Sequence, residues 1–370
     1  DPQADPDGIG VDIPDLAVGR LPAISAEDAR QLVQRVRDFV EDPAPGLWRN
    51  NVVWAADDLR YRGIEPRGTE VAHTEQAENL VNNFLPLSLD VEKIYMIDYP
   101  LVGNTRPEAR RELLSRLSDG TTIFYYVGHG AANVLADEQL FRIDDVANLT
   151  NGPRRFMFMA FSCDVGVFDD PNVQCMAEDF LGSSQGGGIA AVAASWVSLI
   201  TRNDQLSDSF TAALFPGRTV DPTVTLSEAL LAAKVDNWFQ GSPPRPSFSS
   251  VRNNRRYNLL GCPALTLGHP VGDLPFTADS SDSLLTGRVH EVRLDLAAAG
   301  MQPGSDVQYT LRAEESTTEE VYYSYTTPGG TVVEFTWLRP AGTAFRGAGT
   351  LQEDQQAIPF RAPQSLRTGP

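Results

Sequence analysis

Two short runs near the middle of the chain, TIFYYV (122–127) and FMFMAF (156–161), are apolar at every alternating position and rich in aromatic and branched residues. Runs of this kind predict strands buried on both faces of a sheet. NVVWAA (51–56), KIYMID (93–98) and IAAVAAS (189–195) repeat the pattern. Segments with helical spacing lie between them. Ser25 with Asp28 resembles a helix N-terminus and precedes Leu32, Val33, Val36, Phe39 and Val40, which predicts a helix over 26–41. Further helices are expected where Val71, Ala72, Ala77, Leu80, Val81 and Phe84 fall on one side, and over 105–117, 173–181, 204–215 and 226–239. Alternation of strand and helix predicts a mostly parallel sheet with right-handed crossovers, an α/β fold.

Residues 1–20 read as an irregular lead-in to an edge strand, 241–250 as a loop, and YNLLGCPALTL (257–267) as the close of this first domain, residues 1–270. Beyond it the texture changes. RVHEVRLDL, DVQYTLRAE, EEVYYSYTT, TVVEFTWLRP and AIPFRAP alternate polar and apolar residues between turn formers, which predicts a C-terminal immunoglobulin-like β-sandwich over 271–370.

The candidate chemistry sits at the ends of the two central strands. TIFYYV runs into Gly128-His129-Gly130, and FMFMAF into Ser162-Cys163-Asp164-Val165-Gly166. One imidazole and one thiol thus stand at carboxyl ends of strands, where open parallel sheets form their ligand crevices. Cleavage of an amide by a thiol needs a nucleophile, a proton carrier and donors for the oxyanion. Cys163, His129, and the backbone N–H groups of Gly130 and Cys163 fit those three needs. A carboxylate at a neighbouring strand end would orient the histidine: Asp57 or Asp58 after NVVWAA, with Asp98 after KIYMID in reserve. The glycines beside His129 would let substrate backbone approach, and Gly166 would permit a tight turn after the nucleophile.

Length and charge narrow the partners. A chain of 370 residues is expected to hold two domains. Asp and Glu number 49 against 30 Lys and Arg, a net charge of -19, which argues against nucleic acid and anionic membrane surfaces as partners. No apolar run is long enough to span a bilayer. There is no initiator Met or signal peptide, so the numbering is expected to start inside a longer or processed chain. Three cysteines do not make a disulfide framework, and Cys175 and Cys262 read as packing residues. No cofactor or metal is expected. A zinc site on His129 and Cys163 lacks the close CxxC or HxxxH pairs that usually supply ligands, and Gly186 to Gly188 lack the Lys and Ser/Thr of a phosphate loop. His73 reads as structural, His269 and His290 as solvated, and the sequon at Asn148 as a chance match.

YVGHG, SCDVGVFD, GRLPAISAEDARQLVQRVRDFVE (19–41) and LLGCPALTL (259–267) resemble the gingipain family of cysteine peptidases, in the caspase-like clan. The resemblance covers about residues 11–270 and implies a caspase-like α/β/α sandwich. It also implies Cys163 as nucleophile, His129 as general acid and base, Asp57 as its carboxylate partner, and Gly130 and Cys163 as oxyanion donors. Ser195, Trp196, Val197 and Ser198 would line the substrate pocket. Within the family the chain is similar to the type IX secretion-system sortases, through Asp57-Asp58, His73, Glu75 and TAFRGAGTLQEDQQAIPFRAP (343–363). That likeness implies polypeptide substrates, namely secreted proteins with a C-terminal sorting domain. It further implies outer-membrane secretion-system proteins as partners and a place outside the bacterial cell or on its surface. A secreted degradative protease and a catalytically silent scaffold are the alternatives. The sequence departs from the family at Glu70-Val71, where arginine-specific members carry Asp, and at Gly261-Cys262-Pro263, where the family has Gly-Asp-Pro.

Overall fold

The computed structural model describes residues 14–58, 71–239, 248–268, 276–278, 288–298, 308–314, 318–326, 329–339 and 343–361. Glu70, His269 and the loop at 241–247 lie outside these residues. The chain divides into two compact units, Asp1–His269 and Pro270–Pro370.

The first unit has nine described strands, the expected apolar runs at 51–56, 93–98, 122–127, 156–161 and 189–195 supplying five of them. The nine are β1 (Asn51–Ala56), β2 (Asp90–Tyr95), β3 (Ile123–Val127), three short pieces β4 (Gly130–Ala131), β5 (Val134–Leu135) and β6 (Phe141–Arg142), then β7 (Phe156–Phe161), β8 (Gly188–Ala194) and β9 (Tyr257–Leu260). Six of them make one sheet in the order β2-β1-β3-β7-β8-β9. Every pairing is parallel except β8 with β9. Among the described residues of the lead-in, Arg20 meets this edge: its N–H donates to the Leu259 carbonyl at 2.9 Å and its carbonyl accepts the Gly261 N–H at 2.7 Å.

Helices α1 (Ala26–Glu41), α2 (Ala72–Phe84), α3 (Pro107–Asp119), α4 (Met176–Gly182), α5 (Ile200–Leu214), α6 (Leu226–Phe239) and α7 (Phe248–Arg256) fill the crossovers. Helix α1 starts where its cap predicts, the Ser25 hydroxyl accepting the Asp28 N–H at 3.1 Å. Helices α1, α3 and α4 cover one face, where Leu32, Leu113 and Phe180 pack on Val53, Phe124 and Phe158. The other face carries a row of rings across the strands. Trp54 stacks on Tyr125 at 3.9 Å, Tyr125 on Phe161 at 5.4 Å, and Phe161 on Tyr257 at 5.3 Å. Strands covered on both sides have no polar face to offer, which is why their sequences are apolar throughout.

The structure corrects several boundaries. The strand expected over 93–98 ends at Tyr95 and turns into a single 3-10 turn, Met96–Asp98. The helix expected from Val173 starts at Met176, with the Glu178 carboxylate accepting the Cys175 N–H at 3.2 Å. Helix α7 begins inside the segment expected to be loop, because FSSVRNNRR hides a short apolar face among Arg and Asn.

The second unit contains β10 (Phe276–Ala278), β11 (Val289–Asp295), β12 (Gln308–Glu314), β13 (Thr318–Thr326), β14 (Val332–Arg339), β15 (Thr343–Thr350) and β16 (Gln355–Arg361). Among the described residues these pair antiparallel as β10-β11-β16, β12-β15 and β13-β14. Val292, Leu294, Leu296, Leu351, Ile358 and Phe360 form its core. His290, expected to be solvated, is buried with its ring 5.7 Å from that of Phe360, since its place in the alternation of β11 points inward. No described helix is long and apolar enough to cross a membrane.

Phe180 is the keystone of the first face, with ring centroids 5.0–6.4 Å from Phe124, Phe141, Phe156 and Phe158. Phe180→Ala is expected to destabilise the first unit by about 3–5 kcal/mol, measured by urea unfolding. A loss below about 1 kcal/mol would show that this cluster is not what holds α4 to the sheet.

Candidate active site

The register of the sheet assembles the site. Val127 at the end of β3 lies opposite Phe161 at the end of β7. Two residues further along each chain come His129 and Cys163, on strands spaced about 4.8 Å apart. On the other side of β3, Ala56 pairs with Val127, so Asp57 leaves its strand beside the histidine loop.

The backbone of His129 is clamped from both ends. Its N–H donates to Asp57 Oδ2 at 2.9 Å, while its carbonyl accepts from the Tyr126 hydroxyl at 2.6 Å and the Ala136 N–H at 2.9 Å. The second carboxylate oxygen of Asp57 accepts the Asp58 N–H at 2.8 Å. Asp57 thus meets His129 at the amide, and a carboxylate oxygen also lies within 4.8 Å of a ring nitrogen of His129 and of His73. Asp58 points elsewhere, into a buried ion pair with Arg106. Asp98 sits on the 3-10 turn beside Tyr95 and Tyr99, whose phenols are raised first by burial, then by Glu78 and Glu112 respectively, with the Asp98 charge adding less.

The glycines flanking the histidine have a reason that the sequence did not reveal. A Cβ on Gly128 would lie 2.3 Å from Asp57 Cβ, and one on Gly130 would lie 2.3 Å from Ser162 Oγ. They allow the three loops to close on one another, a packing role within the protein. Gly166 acts similarly, since its Cβ would come 2.9 Å from that of Ala193 on β8.

Burial dominates the electrostatics. It pushes the Asp57 carboxyl well above the usual range, helped by the charge of Asp58 and opposed by the His129 N–H. Burial also lowers His129, against the pull of Asp137 and Asp58. Glu138, on the hairpin after β5, brings a third carboxyl within 4.8 Å of Asp57 and Asp58 and is raised to about 7 by burial and then by Asp58. On α2, the His73 ring stands edge-on to that of His129 with centroids 5.5 Å apart. Its interior position lowers it to about 3, with the His129 charge contributing.

Cys163 is half-buried, and the next residue, Asp164, takes a left-handed backbone with φ 55°. That strained turn directly after the thiol swings the chain back toward β8. The sulfur lies against Ser198: it receives the Ser198 N–H at 3.3 Å and stands 3.6 Å from the hydroxyl and 3.5 Å from the carbonyl. Behind it, Ser198 Oγ accepts from Asn203 Nδ2 at 2.9 Å, and Asn203 Oδ1 accepts from Asn253 Nδ2 at 3.1 Å. Asn253 Oδ1 in turn accepts the Leu199 N–H at 3.1 Å, closing the loop onto itself.

Ser198 was expected to line the pocket, yet it is buried behind the thiol. Ser195 is half-buried and held by the Arg256 carbonyl, which accepts its N–H at 2.8 Å. Trp196 and Val197 are exposed, as are Leu199 and Ile200, so apolar side chains flank Ser198 along the chain and face solvent. Cys175 is buried with its thiol raised to about 12 by burial, as suits a packing residue, while Cys262 is half-buried and makes no disulfide among the described residues. Glu138, Arg106, Asn203 and Asn253 were not singled out from the sequence. Each comes from a different element and carries no local signature.

Comparison with known proteins places this geometry. The model of peptidase family C25 matches residues 3–268. No curated protein sequence matches the chain. Among solved structures, the Arg-specific cysteine proteinase gingipain R superposes with TM-score 0.52 at 12% identity, covering 95% of this chain and 77% of that one. A structure described as a protease superposes with TM-score 0.56 at 13% identity, covering 96% and 76%. At such identities the likeness establishes the fold, a caspase-like α/β architecture with a mostly parallel sheet, and not the specificity. The chain belongs to peptidase family C25, the gingipain family of cysteine peptidases.

Proposed function

We propose that this cysteine peptidase cleaves polypeptides through Cys163 and His129. The observation that carries the proposal is the register, which puts the two side chains at equivalent positions beyond paired strand ends. The thiol proton passes to His129 as sulfur bonds to the scissile carbonyl carbon. Gly130 and Cys163 offer backbone N–H groups to the resulting oxyanion. His129 then delivers its proton to the departing amine as the C–N bond breaks, leaving a thioester. Water or a second amine, deprotonated by His129, attacks that thioester, and the C–S bond breaks to restore the thiol. Asp57 serves as the positioning group for His129, holding its backbone. Trp196, Val197, Leu199 and Ile200 supply apolar contact for the substrate chain.

The finer proposal is processing of exported proteins at the bacterial surface, in the manner of a type IX secretion sortase. It is supported by the resemblance of Asp57-Asp58, His73 and Glu75 to that group. Its substrates would be secreted proteins with a C-terminal sorting domain, delivered by outer-membrane secretion proteins. Transfer to an amine then competes with hydrolysis, and the two are separable by adding an amine nucleophile to a cleavage assay. A processing enzyme is expected to yield the amide product from a substrate with such a domain, whereas hydrolysis of casein alone would favour a degradative protease.

Cys163→Ala is expected to abolish turnover while the urea unfolding midpoint stays unchanged, and His129→Ala to lower kcat/KM at least a hundredfold. Full activity in either variant would remove that residue from the mechanism. Ser198 is proposed to position the sulfur rather than to contact substrate. Ser198→Ala should therefore lower kcat about three- to tenfold with KM little changed, since it removes only the hydroxyl beside the sulfur and an ordinary hydrogen bond contributes ~0.5–1.5 kcal/mol. Ser198→Thr should recover most of that loss. A change confined to KM or to side-chain preference would instead return Ser198 to the pocket wall.

A further inference from the structure

His73 is a buried imidazole, 3% exposed, and among the described residues neither of its ring nitrogens has a hydrogen-bond partner. Burying such a group without a partner costs free energy, and a histidine used only for packing would ordinarily find a carbonyl or hydroxyl. What it faces is the reactive end of the site. One ring nitrogen of His73, one of His129 and one carboxylate oxygen of Asp57 all lie within 4.8 Å of one another. We propose that these three side chains form a binding site for a zinc-type divalent transition-metal ion, and that the ion inhibits the peptidase by taking the His129 ring nitrogen out of proton transfer.

Two imidazoles and a carboxylate are a donor set that suits zinc, with water as the fourth ligand. Ligand atoms about 2.0–2.1 Å from a tetrahedral ion stand about 3.4 Å apart, so side-chain rotations of roughly an ångström close the site. Asp57 is already oriented for this, because two backbone N–H groups hold its carboxylate and leave lone pairs on both oxygens. His129 is only half-buried and gives the ion its way in. The adjacent trio of Asp57, Asp58 and Glu138 is a poorer cation site, since Arg106 already neutralises Asp58.

The three ligands come from the turn after β1, from α2 and from the turn after β3, which is why no closely spaced ligand pair announces them in the sequence. Binding of the ion stands on geometry alone. Its inhibitory effect rests on the proposed role of His129, and the two can be tested apart.

The test uses full-length Cys163→Ala protein, so that thiolate binding at position 163 cannot contribute. Zn2+ titrated against a chromophoric chelator is expected to show one site of micromolar affinity or tighter. His73→Asn in the same background is expected to weaken it at least tenfold, with unfolding by urea confirming that the variant is folded. Zinc X-ray absorption on the Cys163→Ala complex provides a readout independent of any further variant, with two imidazoles and no sulfur in the expected ligand shell. Loss of binding on Cys163→Ala, a sulfur ligand, or affinity indifferent to His73 would each overturn the site. In the wild-type enzyme, the ratio of turnover with and without Zn2+ should fall on the same concentration scale as binding. Tight binding by His73 with no inhibition would keep the site and remove His129 as the base.

Discussion

Everything at the candidate site depends on the in-register parallel pairing of β3 and β7. With Val127 opposite Phe161, the histidine and the cysteine emerge at the same height on neighbouring strands. A slip of one residue would send one of them to the opposite face of the sheet. The register is held by burial on both faces, through the aromatic cluster around Phe180 on one side and the stacked row from Trp54 to Tyr257 on the other. The core and the geometry of the candidate site are therefore built together. The loops that bear His129 and Cys163 are short extensions of strands that cannot move without breaking the packing.

The price of that rigidity is electrostatic. Asp57, Asp58, Glu138, His73 and His129 are crowded into a space largely closed to water, and burial disfavours the charged form of each group it perturbs. The structure answers with specific partners. Arg106 neutralises Asp58, and the amides of His129 and Asp58 satisfy Asp57. Asp57 is thus a bracket between two strand ends, fixing where the imidazole begins. His73 is the group left over, its two ring nitrogens without a hydrogen-bond partner among the described residues.

On the cysteine side the corresponding support is polar but uncharged. Ser198, Asn203 and Asn253 form a chain of hydrogen bonds that ties residues 196–199 to α5 and α7. The same short segment presents Trp196 and Val197 outward and Ser198 inward. The exposed residues and the sulfur are consequently mechanically linked, since a shift of Trp196 or Val197 moves the Ser198 that lies against Cys163.

Hydrophobic period was enough to read the parallel sheet, most of its helices and the strand ends that His129 and Cys163 follow, because strands buried on both faces have an unmistakable composition. The start of α1 was equally legible, its cap being local. Other features needed the tertiary structure. The polar helix α7, the early end of β2 at Tyr95 and the burial of His290 depend on what packs against each segment. So do the reasons for Gly128 and Gly130, whose missing Cβ atoms make room for Asp57 and Ser162. The order of residues along the chain is sufficient to place His129 and Cys163 just beyond buried strands, since that is a one-dimensional pattern. Only the fold decided what surrounds them: that Asp57 grips a backbone, that Ser198 turns inward, and that His73 from α2 faces His129. Such contacts join elements far apart in the chain, and no periodicity along it encodes them.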